Sequence, residues 1–144
     1  MLKLIVFDLD GTLVDSRKVH FDAIYKILRK ENFKFSIAEL NKSMGLKRKW
    51  IINNLAKSPL SETRVDGLAK EIKKEAYANV SKVRPCPYAR EMLEHLHKLN
   101  KHKTVIMTNS DGKVARAILR KNGLLRYFDL ILASEDFYDK KHAF

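Results

Sequence analysis

The chain is poor in the residues that cross-link or punctuate a fold: its 144 residues include one cysteine, three prolines and five glycines. The single thiol, Cys86, excludes an internal disulfide and with it the stapled scaffold of small secreted domains, so a reducing cytoplasm is the expected setting. Scarce proline and glycine exclude a collagen-like or low-complexity chain. No apolar run approaches the roughly 20 residues that a membrane helix needs. Residues 1–7 lead straight to Asp8 and Asp10, not to the body of a signal peptide, and no membrane partner is expected. Acidic residues are also few, 17 against 29 Lys and Arg, which leaves a formal charge of +12 and a field that favours anionic partners. The basic residues are spread over helical-looking stretches such as 70–74 and 98–103, without aromatic interleaving or a finger, basic-zipper or stacking motif. Solvated helix faces are therefore expected, and a nucleic-acid partner is not.

What is present suffices to fold, since 45% of residues are apolar in a length usual for one domain. Residues 2–7, Leu-Lys-Leu-Ile-Val-Phe, are an almost unbroken apolar run and predict a buried strand of a parallel sheet. Residues 16–82 then read as helical throughout. Val19, Ala23, Ile27 and Leu28 share one face, Ser36 with Glu39 marks a helix start, Gly45 a stop, and Trp50, Ile51, Leu55 and Ala56 recur at helical spacing, with Trp50 expected in the helical core. His20 on the first of these helices stands alone and is expected to be a surface or partly buried histidine.

After the turn Arg84-Pro85-Cys86-Pro87, a helix over 88–99 would point Ala89, Met92, Leu93 and Leu96 inward. A strand over 103–107, a helix over 113–121 with Val114, Ala117 and Ile118 inward, and a strand over 128–133 follow. Asn122-Gly123 caps that last helix. The order implies an α/β fold: a doubly wound, Rossmann-like parallel sheet with helices on both faces and ligands at the carboxyl ends of the strands. Those ends are residues 8–12, 108–110 and 134 onward.

Asp8 and Asp10 stand at the first of these ends, with Gly11 and Thr12 supplying a turn. Two carboxylates so placed can hold a divalent cation while one attacks phosphorus and the other exchanges a proton with the leaving group. An Asx-turn before a helix would use the same Asp and Gly. Thr108-Asn109-Ser110, taken alone, reads as the N-cap of a helix.

The full string Asp8-Leu9-Asp10-Gly11-Thr12-Leu13-Val14-Asp15-Ser16 after an apolar strand resembles the first signature of the haloacid dehalogenase superfamily, in particular its phosphoglycolate-phosphatase and beta-phosphoglucomutase-like branch. The resemblance implies an α/β core of residues 1–15 and 83–144, and a helical cap of residues 16–82 inserted between them. It implies magnesium as cofactor on Asp8 and on the backbone carbonyl of Asp10, with Asp8 the nucleophile and Asp10 the acid and then base. Gly11, Thr12, Thr108 and Asn109 would hold the phosphate, and Arg48 in the cap would meet a distal anionic group of a small phosphorylated metabolite. The third signature's lysine falls on Lys141 by spacing after Ser134-Glu135-Asp136, with Lys140 the alternative, although the prolines usual there are absent. The fourth signature, a strand ending in Gly-Asp that completes the metal site, has no counterpart before Phe144, and its loss would leave the first strand with an open edge. Three functions stay open: a phosphatase acting through an aspartyl-phosphate, a silent phosphate-binding module, and a sugar-phosphate mutase. A monomer or weak homo-oligomer is expected.

Overall fold

The computed structural model describes residues 3–137. The elements run β1 (Lys3–Phe7), β2 (Val14–Asp15), α1 (Arg17–Lys30), α2 (Ile37–Ser43), α3 (Arg48–Leu55), α4 (Glu62–Ala78), β3 (Arg84–Pro85), α5 (Ala89–Leu99), β4 (His102–Met107), α6 (Gly112–Lys121) and β5 (Leu130–Leu132). Single 3₁₀ turns lie between α4 and β3, before β5 and after it. None of these helices is long and apolar enough to cross a membrane.

Local chemistry sets the boundaries. Ser36 and Glu39 close a reciprocal capping box at α2, the Ser36 hydroxyl accepting from the Glu39 amide at 3.1 Å while the Glu39 carboxylate accepts from the Ser36 amide at 2.6 Å. At α4 the Ser61 hydroxyl accepts from the Arg64 amide, a cap with one bond only. The chain leaves α6 through Asn122 and then Gly123 at φ +66°, a left-handed conformation that glycine adopts without penalty.

The sheet is an α/β core of three parallel strands in the order β1-β4-β5. Each crossover steps the same way along the sheet, and right-handed crossovers then place both connecting helices on one face. Packing agrees: Phe7, Ile106 and Ile131 stand in register and lie against Leu93 of α5 and Ile118 and Leu119 of α6. The alternate side chains, Leu4, Val6 and Leu130, are exposed, although Val105 and Met107 of the middle strand are buried. The expected burial of the first strand thus holds for one face, because no other described strand pairs with β1 and no described helix covers Leu4 or Leu130. Met92, expected inward, is exposed for a related reason: α5 presents only Ala89 and Leu93 squarely to the core.

A second cluster lies within the four helices α1 to α4, built on Ile24, Leu28, Leu40, Ile52, Leu68 and Ile72. α1 links the two, since Val19 packs with the sheet cluster and Ala23 onward with the helical one. The chain enters and leaves the helical stretch at one place, where β2 and β3 pair antiparallel, Val14 with Pro85 and Asp15 with Arg84. Trp50 is not in the helical cluster. It is half-buried and lines a surface cleft with Lys49 and Lys70, because α3 turns Ile51, Ile52 and Leu55 inward and its neighbouring face outward.

Candidate active site

The site begins with the turn that follows β1. Leu9 is fully buried, so the residues on either side of it, Asp8 and Asp10, share the opposite direction, as side chains two apart do on extended backbone. The Leu9 carbonyl accepts from the amides of Thr12, Leu13 and Val14, and the Gly11 amide donates to Val14 at 2.8 Å, which folds the chain back at once. Gly11, at φ +77°, makes this reversal at no steric cost.

Asp10 is a heavily engaged carboxylate. It accepts from the hydroxyls of Ser16, Thr108 (3.1 Å) and Ser110 (2.7 Å), and His20 Nε2 lies 3.0 Å away. Ser16 makes no cap bond to α1 because its hydroxyl is turned to Asp10. Burial pushes the Asp10 carboxyl up, but the hydrogen bond and charge of His20 and the hydroxyls of Ser16 and Ser110 outweigh it and hold the group well below the usual carboxylate range. Thr108 is fully buried at the end of β4, where its amide donates to Leu132 of the neighbouring strand. Asn109 reaches across to the helices and donates to the Gly45 carbonyl at 2.8 Å.

These groups form one wall of a pocket of about 180 Å³, with Asp8, Asp10, Gly11, His20, Thr108 and Ser110 among its lining residues. The facing wall comes from the helices and is mostly apolar: Ile24, Met44, Leu46, Ile51 and Ile72. Arg17 and Arg48 also line it. Arg48 is ion-paired with Asp111, the residue before α6, and Lys73 lies 3.8 Å from the second oxygen of that carboxylate. Of the expected site residues the structure therefore gathers Asp8, Asp10, Gly11, Thr108, Asn109 and Arg48. Thr12 is exposed outside the pocket lining, and Lys140 and Lys141 lie outside the described residues.

His20 corrects the reading of it as a solitary histidine: its side chain is 12% exposed and sits on Asp10. Ser16, Arg17 and Ser110 were likewise not anticipated as site residues. One signal could have found two of them, because Ser16 and His20 are four apart at a helix start and so share the face that follows the Asp8–Asp10 turn.

Haloacid dehalogenase-like hydrolases share a sequence pattern that matches residues 5–143. The chain belongs to that family. Over 141 residues it is 27% identical to the phosphoglycolate phosphatase of Aquifex aeolicus, covering 97% of this chain and 64% of that protein. It is 25% identical to the fructose-1-phosphate phosphatase YqaB of Escherichia coli, with 96% and 73% covered. The structures of a haloacid dehalogenase-like family protein of Streptococcus pneumoniae (TM-score 0.74, 22% identity, 92% and 61% covered) and of a hydrolase of Pseudomonas syringae (TM-score 0.80, 22%, 95% and 63%) share the fold. The chain thus spans a little under two thirds of the length of the Aquifex relative and of these structures.

Proposed function

We propose that this member of the family is a magnesium-dependent phosphatase that hydrolyses a small phosphate monoester through an aspartyl-phosphate on Asp8. The observation that carries the reading is the meeting of Asp8 and Asp10, from the end of β1, with Thr108 and Ser110, from the end of β4, in a single pocket. The phosphatases among its relatives support the reaction class.

The donors suit magnesium in kind, being oxygen ligands that a hard cation takes alongside several waters. Asp8 and the Asp10 carbonyl would hold it, and among the described residues no cluster of three acidic, histidine or cysteine side chains adds to them. When bound, the ion would offset the repulsion between an anionic nucleophile and an anionic ester. Thr108, whose hydroxyl donates to Asp10, and the Asn109 and Ser110 loop would hold the phosphoryl oxygens. An oxygen of Asp8 attacks phosphorus, the ester oxygen departs with a proton, and water then cleaves the acyl phosphate to return Asp8 and release phosphate. Asp10, held as a hydrogen-bond acceptor by Ser16, His20, Thr108 and Ser110, is in the form that takes a proton from that water. Its first role, giving a proton to the leaving oxygen, requires it to exchange some of these partners.

The test is magnesium-dependent release of phosphate from an aryl phosphate by the 144-residue chain. Turnover that vanishes in a folded Asp8→Asn variant is the expected result. Activity retained in that variant would sink the reading, and a folded wild-type chain without activity would favour a silent phosphate-binding module. A product that keeps its phosphate would point to a mutase.

A further inference from the structure

One cation on the helical side of the pocket, Arg48, also borders the adjoining cleft lined by Lys73 and Asp111, and there it already has an anionic partner. Arg48, from the first turn of α3, is paired with Asp111, and Lys73, from α4, is 3.8 Å from the same carboxylate. Arg48 is 13% and Asp111 20% exposed, so the pair sits where water screens it poorly. Otherwise the helices and the 44–46 turn offer the pocket hydrocarbon from Ile24, Met44, Leu46, Ile51 and Ile72, beside Arg17 and His20 of α1, of which His20 is held on Asp10. Arg17, the other guanidinium, is exposed and donates to the Asn41 side chain at 3.1 Å.

We propose that Asp111 is a specificity-determining residue: by holding Arg48 and Lys73 it turns away substrates with a second, distal anionic group and restricts the pocket to phosphate monoesters of neutral, largely apolar alcohols. The inference rests on the phosphatase reading and names the substrate class of that site. A distal phosphate or carboxylate could use Arg48 only by displacing Asp111, and would then lie beside that carboxylate in a part-buried setting. Like charges placed so are a device for rejecting one ligand without improving another. A neutral alkyl group meets the apolar wall and leaves the ion pair intact, so it gains burial without breaking a contact.

Alkylphosphonates of three to five carbons, with and without a terminal carboxylate, provide the test, because the carbon–phosphorus bond is not hydrolysed and binding is read apart from turnover. Calorimetry with magnesium chloride present should show the plain alkyl compound bound about tenfold more tightly by the wild-type chain. In Asp111→Asn the carboxylate-bearing compound should gain about tenfold while the alkyl compound stays within about threefold, and adding Arg48→Gln should remove the gain. Asp111→Ser, which places another residue type favoured at the start of a helix before α6, repeats the comparison if the Asn variant does not fold. A wild-type preference for the carboxylate, an equal change in both ligands, or no binding of either would overturn the proposal. A chain that shows this loss of preference in Asp111→Asn yet releases no phosphate would retain this inference and lose the activity; one that hydrolyses esters without preference would do the opposite.

Discussion

Asp10 gathers partners from separate stretches of the chain: Ser16 from the residue before α1, His20 from its first turns, and Thr108 and Ser110 from beyond β4. Four contacts on one small group fix its rotamer, so the position of its oxygens depends on all of them. Removing His20 should let the carboxylate drift, and a misplacement of about 1 Å at a reacting group can cost on the order of 10²-fold. For His20→Ala the expectation is a fall in kcat of that order with little change in KM, in steady-state hydrolysis of an aryl phosphate. A rise in KM of equal size would instead make His20 a substrate contact. Gly11 tests the turn itself: alanine there would meet no atom within 4 Å but would have to adopt φ +77°. Gly11→Ala should cost about 1–2 kcal/mol in urea unfolding, from backbone strain alone. At this scale the spacing of Asp8 and Asp10 pointed to them as site candidates, whereas Thr108, a helix cap when taken alone, entered only through the family resemblance. His20 was hidden because its partners are 10 and 90 residues away along the chain.

Elements start and stop where side chains meet backbone. Ser36→Ala should cost about 1 kcal/mol, since it leaves the Glu39 amide without its acceptor at the start of α2. β5 is held to β4 by Asp129, whose carboxylate accepts from the Thr104 amide at 2.8 Å and from Lys103 at 3.0 Å. The Thr104 amide, then Lys103, lower the Asp129 carboxyl from its ordinary range, against a smaller opposing effect of burial. A carboxyl lowered by folding stabilises the fold above its unfolded pKa of about 3.9, and that contribution is lost as pH falls through the folded value. Asp129→Asn should therefore have a lower urea midpoint than wild type at pH 7, with the gap narrowing below about pH 4. An offset independent of pH would mean that Asp129 acts by shape alone. Helix starts were legible in the sequence because a capping box spans four residues. The length of β5 was not: Phe128 ends a 3₁₀ turn and Asp129 is a cross-strand acceptor, which leaves three residues of strand where apolar patterning suggested six.

Across the whole molecule, two hydrophobic clusters meet along α1, and the pocket lies where the loops of one face the helices of the other. The alternation of strand and helix announced the α/β class, but strand order is a long-range property that periodicity does not carry. It is the order β1-β4-β5 that puts α5 and α6 on one side. The run 2–7 is patterned for a strand covered on both faces, and the described chain covers one. Burying a leucine side chain is worth about 2 kcal/mol, whereas Leu4 remains 61% and Leu130 50% exposed. Side chains this exposed contribute little to stability, and exposed apolar faces are where association is expected. The double variant Leu4→Lys, Leu130→Lys should thus unfold within about 0.5 kcal/mol of wild type, while binding less of a hydrophobic dye and sedimenting with less dependence on concentration. A large loss of stability would show that the face is covered in solution, since a lysine forced under a packed layer must give up its hydration.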